Sequence, residues 1–470
     1  MDHFTLTRAL QPSRLNGGLL LASTALWAGT AFAAVSPEEA KNLGNTLTAI
    51  GAEKAGNKDG SIPPYSGKAP KAPASYNKAE PGQRPDPYNE KPLFSITAAN
   101  AAQHADKLDG LVEVFKKYPN FRMDIYPTHR DYAYPKVVLD NTLKNATACK
   151  GTNDELKIEG CYGGFPFPIP KTGRQVMWNH LLQYQTYASK LLNNSWVTPT
   201  GGQAVLQATS ESAQLYNNFE PNNNKPLAGD VIYWNILKND LAPARKAEGK
   251  LVIQDSLDMV GVGRRVYQYI PGQRRVKLAP NLAYDTPSPN SGGSSTMDDA
   301  KGFSGALDRY EFKLVGKKEK YIMYNTYQLS DRKACPDEKL VNHPNFPHPD
   351  CVRWELHRVW KVEATLKPEF RHVYAKRIFF WDEDAPGAGV VENYDASGKL
   401  YRILTQYAMP YYEGEMGAGG TTDASFSLDL QTGIWAAQGS MGFPNAGSLP
   451  VSGFESRIFT PDALAGAGIR

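Results

Sequence analysis

Two groups of residues in this chain have types and spacing that could do chemistry. Asp308, Arg309, Glu311, Arg353, Glu355, His357, Arg358, Glu363, His372 and Arg377 crowd both signs of charge into segments with strand-like alternation. A histidine beside a carboxylate is the minimum equipment for proton transfer near neutral pH. His357 or His372 with a nearby acid therefore stands as the candidate centre of a hydrolase or other enzyme. Cross-strand ion pairs on a solvated face account for such a set equally well, and no nucleophile, base and orienting group can be assembled before the strand order is known. Asp382-Glu383-Asp384 follows a predicted strand and could hold calcium or act as an acid/base pair. Acidic residues also form ordinary turns at strand ends, and no glycine-spaced calcium loop surrounds these.

The standard catalytic motifs are missing. Gly302-Phe303-Ser304-Gly305 and Gly439-Ser440-Met441-Gly442 both fail the Gly-x-Ser-x-Gly spacing of a nucleophile elbow. There is no His-Glu-x-x-His and no phosphate-binding loop, and Gly261-Val262-Gly263 leads into a strand, where glycines mark a bend. No cofactor is implied.

Arg358 has a different kind of chemistry open to it. In the run Trp354 to Leu366 the even positions are almost all apolar and the odd ones mostly polar, which predicts a single strand with one dry and one wet face. Thirteen residues at about 3.3 Å each span roughly 40 Å, so the strand belongs to a large curved sheet. Arg358 interrupts the dry face formed by Trp354, Leu356, Trp360 and Val362. A guanidinium there can fix an anionic head group while the aromatics hold an apolar tail, or it can form an internal ion pair with Asp308 or Glu311. These five residues are the candidate ligand-binding set.

The four cysteines fall into two local pairs, Cys149 with Cys161 and Cys335 with Cys351. Two disulfides are expected, each closing a short loop. The rival is a zinc site in which His343 and His348 join Cys351, but the prolines between them favour a stapled loop. Arg8, Arg14, the apolar run from Leu19 to Ala28 and Ala31-Phe32-Ala33 read as a secretory signal cleaved after Ala33. A periplasmic, soluble product is expected, in keeping with disulfides. The formal net charge of +4 is close to neutral for this length and no dense basic block occurs, which argues against nucleic acid as a partner.

Three domains of organisation follow: residues 1–33 as signal peptide, 34–95 as an N-terminal helix and Pro/Gly-rich extended segment, and 96–470 as a sheet-and-lid domain. Ser36-Pro37-Glu38-Glu39 marks a helix start. From Gly56 to Pro92 the prolines keep the chain extended, with Tyr65, Tyr76 and Tyr88 able to pin it to a surface. Helical spacing predicts helices from Thr97 to Phe115 and from Gly173 to Leu192. Strands are predicted at 251–253, 265–270, 275–278, 310–315, 353–366, 372–381 and 400–407, with turns at Pro271-Gly272 and Asp395-Ala396-Ser397-Gly398. The fold class is α+β: a large curled antiparallel sheet, a half-open barrel, covered by helices.

Several segments together resemble one exported bacterial family, domain of unknown function 1329. They are Leu47 to Gly60, Tyr126-Pro127-Thr128-His129-Arg130, Gly263-Arg264-Arg265-Val266-Tyr267, Phe303-Ser304-Gly305 and Arg353 to Trp360. The resemblance implies a periplasmic protein with a fold similar to the lipoprotein carriers of the outer-membrane sorting pathway, an apolar cavity under a helical lid, and a hydrophobic or lipid-like ligand. It also implies an inner-membrane export transporter and an outer-membrane barrel as partners, and it supplies no catalytic residue. The expected function is a non-enzymatic carrier or chaperone for hydrophobic cargo. The alternatives are an enzyme acting on a hydrophobic envelope substrate and a scaffold that docks on a barrel.

Overall fold

The strand predicted from Trp354 to Leu366 forms with those bounds and pairs along its whole length with Tyr310–Met323. That neighbour continues well past the expected end at Val315 because Gly316, at φ +131°, absorbs a bulge between Leu314 and Gly316. On the other side of the central strand, Lys376–Asp382 pairs antiparallel from Val359 onward, and Met123–Ile125 adds one parallel contact at Trp354. The computed structural model describes residues 35–279, 284–415 and 419–466. The expected signal peptide, residues 1–33, lies outside them.

From the central strand the sheet runs through Lys376–Asp382, Gly389–Tyr394, Leu400–Gln406, Ser425–Asp429, Trp435–Ser440, Ala188–Thr198, Val205–Tyr216, Ile232–Ala242, Lys250–Ser256, Arg265–Ile270 and Arg275–Leu278, each pair antiparallel. The outermost strands, Tyr310–Met323 and Arg275–Leu278, do not pair with each other among the described residues, so the sheet stays open.

Its curvature can be read from one helix. Gly173–Leu181 is capped by Thr172, whose hydroxyl accepts from the Gln175 amide, and every residue of it is buried. His180 stacks on Trp381 with ring centroids 3.7 Å apart, and its Nε2 lies 2.8 Å from the carbonyl oxygen of Phe303. The Lys301 ammonium beside Phe303 lies 4.3 Å from the Trp234 ring. Trp381 and Trp234 sit seven strands apart in the sheet order, roughly 30 Å if it were flat. The sheet therefore wraps around this helix.

The two faces are covered by different parts of the chain. On the outer face the segment Ala101–His104, Ala105–Leu108 and Leu111–Lys117 packs over the central strand: Lys320 donates to the Leu108 carbonyl and pairs with Asp109 at 3.0 Å, and the Gly110 amide donates to Glu392. This is the helix expected from Thr97 to Phe115, broken because Asp109 takes φ +49°. The predicted helix from Gly173 to Leu192 also stops early, at Leu181, and Ala188 onward is a strand. Its leucines and tyrosines satisfy either period, and pairing with Val205–Tyr216 decides the outcome. Arg265–Ile270 and Arg275–Leu278 form as expected, joined through Pro271–Gln273. The predicted strand at 372–381 begins at Lys376 instead, because His372 is held by Asp298.

Residues 41–93 contain no helix or strand and run over the sheet domain, as the prolines require. The three tyrosines fasten this segment. Tyr65 donates to the Tyr132 carbonyl at 2.6 Å, Tyr76 meets Tyr412 edge-on, and Tyr88 stacks on His129 at 3.9 Å. Both expected disulfides, Cys149–Cys161 and Cys335–Cys351, are present, so the zinc alternative at His343 and His348 loses its thiolate.

Candidate functional site

The structure brings the five predicted ligand residues together on the inner face, and covers them with the chain's own atoms. Trp354, Leu356 and Val362 are buried, and Trp360 is half-buried beneath the Lys317 ammonium. Arg358 is paired with neither Asp308 nor Glu311. It donates to Glu383 at 2.7 Å and to the carbonyls of Glu53 and Ala55 at 3.1 and 2.6 Å. Asp308 instead accepts from Tyr284, and Glu311 lies 3.4 Å from Lys367. The expected space for a guest above Arg358 is thus filled by residues 53–55, a return of the N-terminal segment that alternation along one strand cannot reveal.

Beside it lies a buried charge network that the sequence reading treated as turn residues and solvated pairs. Arg130 forks onto Asp384 with bonds of 2.6 and 2.9 Å, reaches Glu383 at 3.0 Å and donates to the Glu53 carbonyl. Lys317 also pairs with Glu383, at 2.7 Å. Burial pushes the Glu383 carboxyl up, but Lys317, Arg358 and Arg130 outweigh it and hold it below the usual range. Burial raises Asp384, with Arg130 opposing and Asp382 and Glu383 adding to the rise.

His357 and Glu355, expected on a wet face, are buried as well. The His357 ring lies against Tyr324, with Nε2 3.2 Å from Glu355 and Nδ1 3.0 Å from Asp382. Burial favours the neutral ring, yet Asp382 and Glu355 override it and raise the imidazole to about 9. His357, Asp382 and Asp384 could place one ligand atom each within 4.8 Å of one another. Asp384, however, is spent on Arg130 and His357 on its two acids. His372 is similarly engaged, between the Tyr374 amide at 3.0 Å and Asp298 at 3.1 Å. This arrangement neutralises charge and fastens loops to strands; it leaves neither histidine a nitrogen free to meet a substrate.

Open space on the inner face lies at the opposite limb of the sheet. Cross-strand partners share a face, and from Trp360 the register passes through Trp381, Gly389, Gln406, Ser425 and Gln438 to Ser195. Two pleats along that strand, Leu191 continues the face through Ser212, Lys238 and Leu251 to Gln268. There a cleft of about 360 Å³ opens between the strands and residues 287–297. Leu251 and Ile270 form its floor, Pro287 and Met297 its roof, and Arg245 and Lys246 stand at its lip. Lys246 ties the lip to the roof, donating to the Pro289 carbonyl at 3.3 Å and to Asn290 at 2.7 Å. The sequence signal for this cleft is slight: the strands at 251–253 and 265–270 are predicted, but Ile232–Ala242, which brings Lys238 and Asp240, is not, and nothing marks the loop as a roof.

A second cleft, of about 400 Å³, lies on the outer face among Leu192, Ala213, Leu237 and Leu449. The C-terminal segment packs on that same face through Phe459 and Leu464.

Among solved structures, a DUF1329 family protein from Desulfovibrio piger is similar at a TM-score of 0.39 and 12% identity, covering 59% of this chain and 92% of that one. LolA superfamily protein NE2245 from Nitrosomonas europaea is similar at a TM-score of 0.36 and 11% identity, covering 63% of this chain and all of that one. In sequence the chain is 39% identical over 407 residues to uncharacterized protein PA3922 of Pseudomonas aeruginosa, covering 86% of this chain and 87% of that protein. The family model described as "protein of unknown function (DUF1329)" matches residues 95–465, and the chain belongs to that family.

Proposed function

We propose that the protein is a non-enzymatic carrier or chaperone that shields a lipid-like or other hydrophobic molecule on the inner face of its curled sheet. The observation that carries this reading is the cleft at Leu251, Ile270 and Met297, whose volume of about 360 Å³ falls in the ~300–1,000 Å³ range of small-molecule sites. An apolar floor that stays wet is unfavourable by about 25 cal/mol for each Å² exposed, so an apolar guest gains by covering it. The periplasm is the proposed compartment, consistent with two disulfides and with the leader expected in residues 1–33. An inner-membrane transporter and an outer-membrane barrel as donor and acceptor belong to the same proposal and rest on the family resemblance.

The test is native mass spectrometry of protein purified from its own host, together with uptake of the neutral fluorophore N-phenyl-1-naphthylamine. A bound apolar adduct is expected, with Leu251→Asp losing both the adduct and the fluorophore. Ligand-free protein that takes up no fluorophore would sink the carrier reading. The residues around Arg358 become accessible to a guest only if residues 53–63 lift from the sheet.

A further inference from the structure

We infer that the inner-face cleft takes an amphiphile with an anionic head, a carboxylate or a phosphate, held by Arg245 with its apolar chain along Leu251, Ile270 and Met297. The inference rests on the carrier reading and adds the chemistry of the cargo. Its starting point is charge left over at the lip. Most buried guanidinium groups of this protein hold a carboxylate: Arg84 with Glu415, Arg264 with Asp255, Arg377 with Asp298 and Asp299, Arg402 with Asp429. Arg245 is exposed and has no hydrogen-bond or ion-pair partner among the described residues, although it lines a cleft with an apolar floor.

The neighbouring charges do not neutralise it. Lys246 bonds only to the neutral Pro289 carbonyl and Asn290 side chain. Asp240, the acid that lines the same cleft, takes both Lys238 at 3.2 Å and the Ser210 hydroxyl at 2.7 Å on Oδ1, and it attracts Lys246 while Arg245 has no ion-pair partner among the described residues. Four cations, Lys238, Arg245, Lys246 and Lys250, therefore line this cleft against one acid, Asp240, which already pairs with Lys238. A neutral guest would leave that charge uncompensated, whereas a polyanion would leave the apolar floor at Leu251, Ile270 and Met297 uncovered. A single anionic head with an apolar chain satisfies both parts, and a guanidinium fork suits the paired oxygens of carboxylate or phosphate.

The experiment loads the full chain with N-phenyl-1-naphthylamine at pH 8 and displaces it with dodecanoate, dodecyl phosphate or the neutral 1-dodecanol. Both anions are expected to displace the fluorophore at concentrations at least about ten-fold lower than the alcohol, the margin of one charge-assisted hydrogen bond. Arg245→Ala should erase that margin while leaving displacement by dodecanol unchanged, and Arg245→Lys should restore part of it. Raising the salt should shrink the margin as well, since the head sits at an exposed lip. Competition by one anion alone would support the inference and identify the head group. Equal displacement by anions and alcohol, or an Arg245→Ala protein that still prefers the anions, overturns it and leaves the carrier reading standing. Failure of the fluorophore to bind overturns both. Arg245 is exposed, so its replacement leaves the folded state intact, which circular dichroism verifies.

Discussion

Replacing Arg358 by methionine separates a strut from a ligand contact. The substitution keeps an unbranched apolar stem and removes three bonds: one to Glu383 at 2.7 Å and two to the carbonyls of Glu53 and Ala55. What remains sets the magnitude. Glu383 keeps Lys317 at 2.7 Å and Arg130 at 3.0 Å, and the Glu53 and Ala55 carbonyls keep Arg130 at 2.8 and 3.4 Å. No buried acceptor is orphaned, so the cost belongs near the bottom of the ~3–5 kcal/mol typical of a broken buried ion pair, about 3 kcal/mol. Glu383→Gln is the informative comparison. It leaves Arg358 and Lys317 with Glu53 as their one carboxylate partner, half-exposed and 3.7 and 3.5 Å away, and belongs near the top of the same range, about 5 kcal/mol. Urea unfolding followed by tryptophan fluorescence should rank wild type, Arg358→Met and Glu383→Gln in falling order. Hydrogen exchange should accelerate over residues 53–63 in both variants. An Arg358→Met protein of wild-type stability and exchange that no longer takes up N-phenyl-1-naphthylamine would refute the reasoning and make Arg358 a cargo contact.

His357 predicts a loss of stability on the alkaline side. Its folded pKa of about 9 lies above the unfolded value of 6.5, so its contribution is complete below about pH 6.5 and disappears as pH rises through 9, up to about 3 kcal/mol; His357→Gln should flatten urea midpoints measured across that window. Trp381→Ala removes the ring stacked on His180 and should cost about 3–5 kcal/mol, read from the same unfolding curves. Gly51→Ala should destabilise strongly or prevent folding, because φ is +87° and an added Cβ would lie 1.6 Å from the Pro168 carbonyl oxygen; yield and thermal melting check it. Cys335→Ser with Cys351→Ser opens a loop of sequence separation 16 and should lower stability by about 3 kcal/mol in urea unfolding, while reductant, which also opens Cys149–Cys161, should lower wild type further.

The strand from Trp354 to Leu366 was legible because its signal is local: alternation fixes the period, and thirteen residues fix the length of the sheet. The local cysteine pairs were legible for the same reason. What the pattern could not show was what lies on each face. Glu355 and His357 occupy the polar positions of the strand, yet they are 0% and 1% exposed. His129 and Asn325 contact Glu355, and Asp382 contacts His357. Arg358 likewise breaks an apolar stripe for the sake of Glu383 and of Glu53, 305 residues earlier in the chain. A buried guanidinium that bonds a backbone carbonyl that distant leaves only one unexplained charge in its local pattern. The strand Ala188–Thr198 was missed because a buried run without polar alternation fits a helix as well as a strand.

The two limbs of the sheet differ in how their covers are held, and that difference bears on how cargo would enter. Over the central strand the cover is residues 53–66, anchored by Arg130 and Arg358 through their carbonyls, by the Glu53 amide to Glu383, and by Tyr65 to Tyr132. Lifting it breaks several buried charge-assisted bonds at once, each worth about 1.5–3 kcal/mol. Over the cleft, the roof is tied to the lip by Lys246 through two bonds to neutral groups, one of them exposed. The same roof is fixed farther along, where Ser294 meets Ser427 and Gln438 meets Ser295 on the inner face. Residues 287–290 are further held to their own loop by the Ser288 amide on the Ser295 carbonyl and by Ser291 on the Ser288 carbonyl, so the roof is braced within itself and tied to the lip by bonds to neutral groups rather than by buried ion pairs. On the proposed carrier function, cargo exchange would belong at that end, where the anionic head would compete with the roof for Lys246 and loosen the tie as it binds.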